Sequence, residues 1–229
     1  MREEEYEGYL DPKGEATVDE RAIDGVPRRT SFEQYLRILA HACQRVDRLY
    51  FNVPTVTEIM DTREYLTVSR YRERVYCYEL YYHQRRLLEE SGMHEQHLLL
   101  NAETDKSGTV YSQWIGRRKP DFILHRPGEG RHNIGITEVK RITGPISEIE
   151  ADLQKLKCFL NPRRMNYFGA VSLIYGDDAS ALEAIRGQLR TSFGRYWPMR
   201  FKALWHRTPG SPPRLWDAAT GEFRETAFA

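Results

Sequence analysis

The chain has 229 residues, enough for one large domain or for one domain with an appendage. Apolar residues make up 40% of it, and 34 basic residues nearly balance 33 acidic ones, so net charge neither favours nor excludes an anionic partner. The three cysteines form no CxxC pair, which argues against a zinc or dithiol centre and favours a reducing cytoplasm. The acidic N-terminus is unlike a signal peptide and FGAVSLIY is too short to cross a bilayer, so no membrane association is predicted.

The first third of the chain predicts helices behind a loose start. Residues 1–28 are polar and rich in turn signals, which predicts a flexible N-terminal arm. The stretch TSFEQYLRILAHACQRVDRLYF begins with capping residues and repeats its apolar residues at helical spacing. A second helical region is predicted from about Thr62 to Ser91, with a break near Leu66 to Ser69 where β-branched residues adjoin. Residues 29–69 are therefore interpreted as an N-terminal helical extension.

The pattern then changes to short apolar runs. Three strands are predicted in HLLLNAET, DFILH and NIGITEV, the last two joined by the turn-rich RPGEGRH. The helix SEIEADLQKLKCFL, the strand FGAVSLIYG, the helix DDASALEAIRGQLR and the strand MRFKALWHR follow. This order predicts a mixed sheet flanked by helices, an α/β domain over residues 70–207. Residues 208–229 are predicted to form a C-terminal tail or small hairpin.

Two acids and a lysine are expected to meet at the predicted hairpin. If the turn is centred between residues 129 and 130, Asp121 lies opposite Glu138, with Cβ atoms roughly 4.5–5.5 Å apart. Lys140 is two residues further along and points to the same side. Two ionised carboxylates at such a short distance repel each other unless they share a cation. Mg²⁺ binds through one or two carboxylates together with phosphate and water. The alternative is an exposed cross-strand salt bridge, which is common and contributes little.

The motif Pro120–Asp121 followed by Glu138-Val139-Lys140 resembles the signature of the PD-(D/E)XK nuclease superfamily. The core of that superfamily is a mixed sheet in the order helix, three strands, helix, strand, as predicted above. The resemblance covers roughly residues 70–207. It implies a restriction-endonuclease-like fold and a Mg²⁺-dependent endonuclease, in which Mn²⁺ can substitute. It further implies that Asp121 and Glu138 are the metal ligands and that Lys140 is the catalytic lysine.

Further acids are candidates for the same site. Many members of the superfamily carry an acid on the helix before the first strand, and Glu79 in RVYCYELYYHQRR is the corresponding candidate. A surface pair of Glu79 with His83 or Arg86 is the alternative. Glu103 and Asp105, at the end of the first predicted strand, could also contribute to a metal site, although such residues commonly solvate a strand end.

Basic residues flank the motif. Arg117, Arg118 and Lys119 precede it and Arg141 follows it. Basic residues beside a pair of acids are typical of a surface that binds a polyanion over a metal ion. These four residues are therefore predicted to contact nucleic acid. Lys155, on the following predicted helix, is typical of ordinary solvated helix surface.

The combined interpretation is a metal-dependent nuclease that hydrolyses DNA phosphodiester bonds, in restriction, repair or phage defence. The alternatives are a non-catalytic nucleic-acid-binding or assembly protein that retains the fold, and a DNA junction resolvase. A homodimer is the simplest arrangement for cutting both strands of a duplex. The specificity and the choice between DNA and RNA are left open by the sequence.

Overall fold

The structure is a computed structural model that describes residues 22–23, 25–59, 64–93, 97–102, 119–128, 132–161, 165–193 and 200–226. The helices are α1 (Arg28–Arg45), α2 (Arg48–Phe51), α3 (Glu73–Glu90), α4 (Ile146–Leu160) and α5 (Ala179–Phe193). The strands are β1 (Ala22–Ile23), β2 (Val26–Pro27), β3 (Val53–Ile59), β4 (Glu64–Arg70), β5 (Leu99–Ala102), β6 (Phe122–His125), β7 (Asn133–Arg141), β8 (Gly169–Tyr175), β9 (Phe201–His206), β10 (Arg214–Asp217) and β11 (Glu222–Glu225).

A seven-stranded mixed sheet forms the centre of the molecule, in the order β11-β10-β9-β8-β7-β6-β5. Strands β7, β8 and β9 are parallel, and the other neighbours are antiparallel. The predicted α/β class and the predicted order of strands and helices from β5 to β9 are confirmed. Among the described residues, no helix combines the length and apolar character that crossing a membrane requires.

The sheet carries a separate apolar layer on each face. Helices α1, α2 and α3 bury their apolar residues in one layer, and α4 and α5 bury theirs in the other. Successive side chains of a strand point to opposite faces, so Phe122 and Leu124 of β6 join the first layer and Ile123 joins the second. The apolar residues that recur at helical spacing along the predicted helix α4 form one stripe, which lies fully in the second layer: Ile149, Leu153, Leu156 and Leu160.

Helix α1 is a part of this core and not an appended element, in contrast to the predicted extension. Its Phe32 ring lies against Gly169 of β8, where a β-carbon would collide with it. The Tyr35 hydroxyl shares a hydrogen bond of 2.7 Å with Thr137 Oγ1 on β7. Because both contacts fall on central strands, removing α1 would expose the middle of one face of the sheet.

The helical prediction for residues 64–70 is wrong. Strands β3 and β4 pair as an antiparallel hairpin, from Val53 opposite Arg70 to Ile59 opposite Glu64, and α3 begins only at Glu73. The residues VPTVTEI and EYLTVSR are rich in β-branched and aromatic side chains, which suit a pleated strand better than a helix. The break expected in one long helix is therefore the boundary between a strand and a helix.

The predicted C-terminal hairpin is present and extends the main sheet. Strand β10 pairs with both β9 and β11, and Trp216 packs against Phe223 with ring centroids 5.2 Å apart. Within residues 208–226, Arg214–Asp217 and Glu222–Glu225 thus belong to the sheet.

Candidate active site

The β6–β7 hairpin has the register that the sequence predicts. Phe122 pairs with Thr137 and Ile123 pairs with Ile136, and this register brings Asp121 to the level of Glu138. Asp121 lies just before β6, and its Oδ2 atom accepts a hydrogen bond of 2.7 Å from the backbone N–H of Val139. This bond fixes the Asp121 carboxylate at the end of the hairpin, beside the Glu138 position.

Glu138 is a buried carboxylate with one oxygen paired and the other not. Its neighbour Val139 belongs to the apolar layer of α1–α3, so Glu138 points to the opposite face, toward α4. The Glu138 side chain is 2% exposed, and its Oε2 atom lies 2.6 Å from Lys155 Nζ on α4. Its Oε1 atom is buried and has no hydrogen-bond partner among the described residues. A buried carboxylate oxygen without a partner is costly, and a bound cation would remove that cost.

Lys140 points to the same side as Glu138 and connects two further carboxylates. Its Nζ atom lies 3.0 Å from Glu73 Oε1 at the start of α3 and 3.4 Å from Asp152 Oδ2 on α4. Burial by itself would lower the pKa of Lys140, but Asp152 and Glu73 outweigh it and hold that pKa above its ordinary value. Lys140 therefore remains an ammonium group at neutral pH.

Six charged side chains make up this site, which we call the carboxylate cluster: Glu73, Asp121, Glu138, Lys140, Asp152 and Lys155. Burial raises the pKa of Asp121 to about 6, although the Val139 N–H acts in the opposite direction. Burial, and then the nearby Asp121, raises the pKa of Glu138 well above its ordinary range. Four carboxyl groups against two ammonium groups leave a formal charge of −2 when all are ionised. One divalent cation would balance that charge.

The donor atoms fit a hard cation. Two carboxylates at one hairpin end, one with an unpartnered buried oxygen, provide the small set of oxygen ligands that Mg²⁺ uses. Among the described residues, no three His, Cys, Asp or Glu side chains form a complete ligand group. The ammonium group of Lys155 occupies the space beside Glu138 in this arrangement.

The predicted site residues are divided by the structure into two groups. Asp121, Glu138 and Lys140 come together in the carboxylate cluster. Glu79 instead pairs with His83 at 3.1 Å, which is the alternative that the sequence left open. Glu79 lies six positions after Glu73, which places it about 120° away around the helix, so only Glu73 faces the cluster.

Two of the predicted nucleic-acid contacts lie beside the cluster. Lys119 is exposed, and its backbone oxygen accepts a hydrogen bond of 3.2 Å from Lys155 Nζ. Arg141 is exposed at the end of β7, directly after Lys140. Arg117 and Arg118, as well as Glu103 and Asp105, lie outside the described residues.

Three members of the cluster were not predicted as site residues. The sequence context of Lys155 predicts solvated helix surface, but its side chain is only 11% exposed because it pairs with Glu138. Asp152 follows Ile149 by three residues and precedes Leu156 by four, so an acid on the apolar stripe of α4 could have indicated it. The sequence contains no comparable signal for Glu73.

Comparison with known proteins supplies no further assignment, since no family model, no curated protein and no solved structure matches the chain.

Proposed function

We propose that the chain is a metal-dependent nuclease of the PD-(D/E)XK type, with a restriction-endonuclease-like fold, that hydrolyses phosphodiester bonds of DNA. The observation that carries this proposal is the buried Glu138 carboxylate, which has an unpartnered oxygen and lies beside Asp121 and Lys140 at one hairpin end. A structural salt bridge usually satisfies both oxygens of a buried carboxylate, whereas a metal ligand keeps one oxygen available for the ion.

Asp121 and Glu138 are the residues that would hold Mg²⁺, or Mn²⁺ in its place. When bound there, the ion would polarise a phosphoryl oxygen and lower the pKa of a coordinated water. The Val139 N–H keeps the Asp121 carboxylate in a fixed orientation, and burial of Glu138 excludes bulk water from its side of the site. Rigid, partly buried carboxylates hold a cation with little reorganisation.

In this proposal Lys140 acts as an electrostatic stabiliser and not as a general base. Because Asp152 and Glu73 keep the pKa of Lys140 raised, its ammonium group is a poor general base at neutral pH. It can donate hydrogen bonds to a phosphate oxygen and stabilise the charge that develops there. Glu73 and Asp152 orient the ammonium group from two sides.

Exposed basic residues beside the cluster support a polyanionic substrate. Lys119 lies two residues before Asp121 and Arg141 lies three residues after Glu138, and both residues are exposed to solvent. Replacing both with Ala should weaken DNA binding and reduce the slope of log affinity against log salt by up to about 2, because each phosphate that a basic side chain neutralises contributes about one unit. An unchanged slope would place the DNA on another surface.

The decisive experiment is a cleavage assay with supercoiled, linear and branched DNA and with RNA, each in Mg²⁺, Mn²⁺ or EDTA. We expect cleavage of DNA in either metal and none in EDTA. Cleavage only of branched DNA would identify a junction resolvase. Binding of DNA without cleavage in either metal would identify a non-catalytic protein, and neither binding nor cleavage would reject the proposal.

A further inference from the structure

Lys155 holds a position that the resemblance to nucleases does not explain. Its Nζ atom lies 2.6 Å from Glu138 Oε2, the shortest ion pair in the carboxylate cluster. The same nitrogen lies 3.4 Å from Asp152 Oδ1 and donates a hydrogen bond of 3.2 Å to the Lys119 oxygen. The ammonium group of Lys155 is therefore paired with Glu138, one of the two carboxylates that the proposed function assigns to the metal.

An ammonium group and a divalent cation cannot both bind Glu138 at full strength. At about 5 Å from a divalent ion, one unit charge weakens binding by about tenfold even at the dielectric constant of water. Asp152, one helical turn before Lys155, provides a second partner, so the ammonium group does not become unpaired when it leaves Glu138. Lys155 thus pairs with Glu138 on β7 and with Asp152 on its own helix, and it keeps the second partner when it loses the first.

We propose that Lys155 is an internal counter-ion, which neutralises Glu138 when no divalent cation is bound and keeps only its pairing with Asp152 when one binds. This inference rests on the proposed function, because it assumes that Glu138 is a metal ligand. It predicts that Lys155 stabilises the metal-free protein and weakens metal affinity. A lysine whose ammonium group does not compete with the ion for Glu138 would not produce the second effect.

The first test measures Mn²⁺ binding by calorimetry and urea unfolding in EDTA for wild type and variants. Lys155→Met should bind Mn²⁺ about tenfold more tightly than wild type, while unfolding at lower urea in EDTA because Glu138 loses its partner. Lys155→Arg keeps the charge and should bind Mn²⁺ as wild type does. Gln154→Met changes an exposed residue of the same helix and is the control for effects of a new methionine on the helix itself. It should leave the Mn²⁺ affinity and the urea unfolding in EDTA unchanged.

The second test needs no variant. Wild-type protein is acetylated briefly with and without Mg²⁺, and the modified lysines are quantified by mass spectrometry. Lys155 should be labelled several-fold faster with Mg²⁺, because its ammonium group leaves the buried carboxylate, and Lys157 of the same helix should not change. Equal labelling of Lys155 in both conditions would overturn the inference even if Lys155→Met does not fold.

The outcomes separate this inference from the proposed function. Equal Mn²⁺ affinity in wild type and Lys155→Met overturns the counter-ion role and leaves the metal site intact. Mn²⁺ binding that appears only in Lys155→Met supports the role strongly. Absence of Mn²⁺ binding from wild type, Lys155→Met and Lys155→Arg overturns both proposals, since Glu138 would then be a structural partner of Lys155.

Discussion

Replacing Asp121 by Asn should stabilise the metal-free protein at alkaline pH. The amide oxygen of Asn can still accept the hydrogen bond from the Val139 N–H, so the end of the hairpin keeps its local geometry. The substitution removes one negative charge from the neighbourhood of the buried Glu138. That charge on Asp121 is one of the causes that raise the pKa of Glu138. The change therefore tests the electrostatic cost of the cluster with little alteration of shape.

The magnitude follows from the pKa of Asp121, which burial raises from 3.8 to about 6. A difference of about two units is about 3 kcal/mol, which is the upper limit for the cost of ionising Asp121 in the folded state. Because a buried Asn amide has its own desolvation cost, we expect a gain of roughly 1–3 kcal/mol in the free energy of unfolding.

The stability advantage of the Asn variant should increase with pH. Between about pH 4 and about pH 6 the folded protein binds more protons at Asp121 than the unfolded chain does, so the wild type loses stability as pH rises through this range. The Asn variant has no such titration. Its advantage should therefore be small at about pH 4 and should reach its full size above about pH 7.

Urea unfolding in EDTA across this pH range measures the effect. Asp47→Asn, which changes an exposed carboxylate that caps α2, is the matched control and should alter stability by less than about 0.5 kcal/mol. A variant no more stable than wild type at alkaline pH, or an advantage that does not vary with pH, would refute the electrostatic reasoning. In Mg²⁺ the same variant should lose cleavage activity, because a neutral amide is a weaker ligand.

Other substitutions test the remaining parts of the site and the core. Lys140→Met should leave Mn²⁺ binding in place and lower the single-turnover cleavage rate by about 10²–10³, and wild-type cleavage by this variant would assign the lysine a structural role. Glu73→Gln should lower the cleavage rate because it releases Lys140, whereas Glu79→Gln on the same helix should not; the reverse result would place the acid of α3 at Glu79. Burial lowers the pKa of His206 from 6.5 to about 4, so wild-type stability should fall by up to about 3 kcal/mol as pH drops across that interval, and His206→Gln should fall less in urea unfolding. An equal fall in both proteins would show that His206 does not drive acid unfolding.

The sequence by itself determined the elements that depend on local periodicity. Alternation along DFILH and NIGITEV defines which residues face each side, and the position of the turn defines the register, so Asp121 could be placed opposite Glu138. The stripe of α4 was predictable for the same reason, since apolar residues at helical spacing can be buried together only on one side of a helix.

Only the tertiary structure decided the contacts between elements that are distant in the chain. Glu73 reaches Lys140 across 67 residues because α3 packs on one face of the sheet and begins at the end of β7, a placement that no local pattern encodes. Lys155 has the sequence context of a surface residue, and only the packing of α4 against β7 buries it on Glu138. Residues 64–70 likewise became a strand because a partner strand was available in Val53–Ile59. Strand formation depends on that partner, whereas a helix satisfies its backbone hydrogen bonds internally, so pairing over a distance overrides what the segment alone suggests.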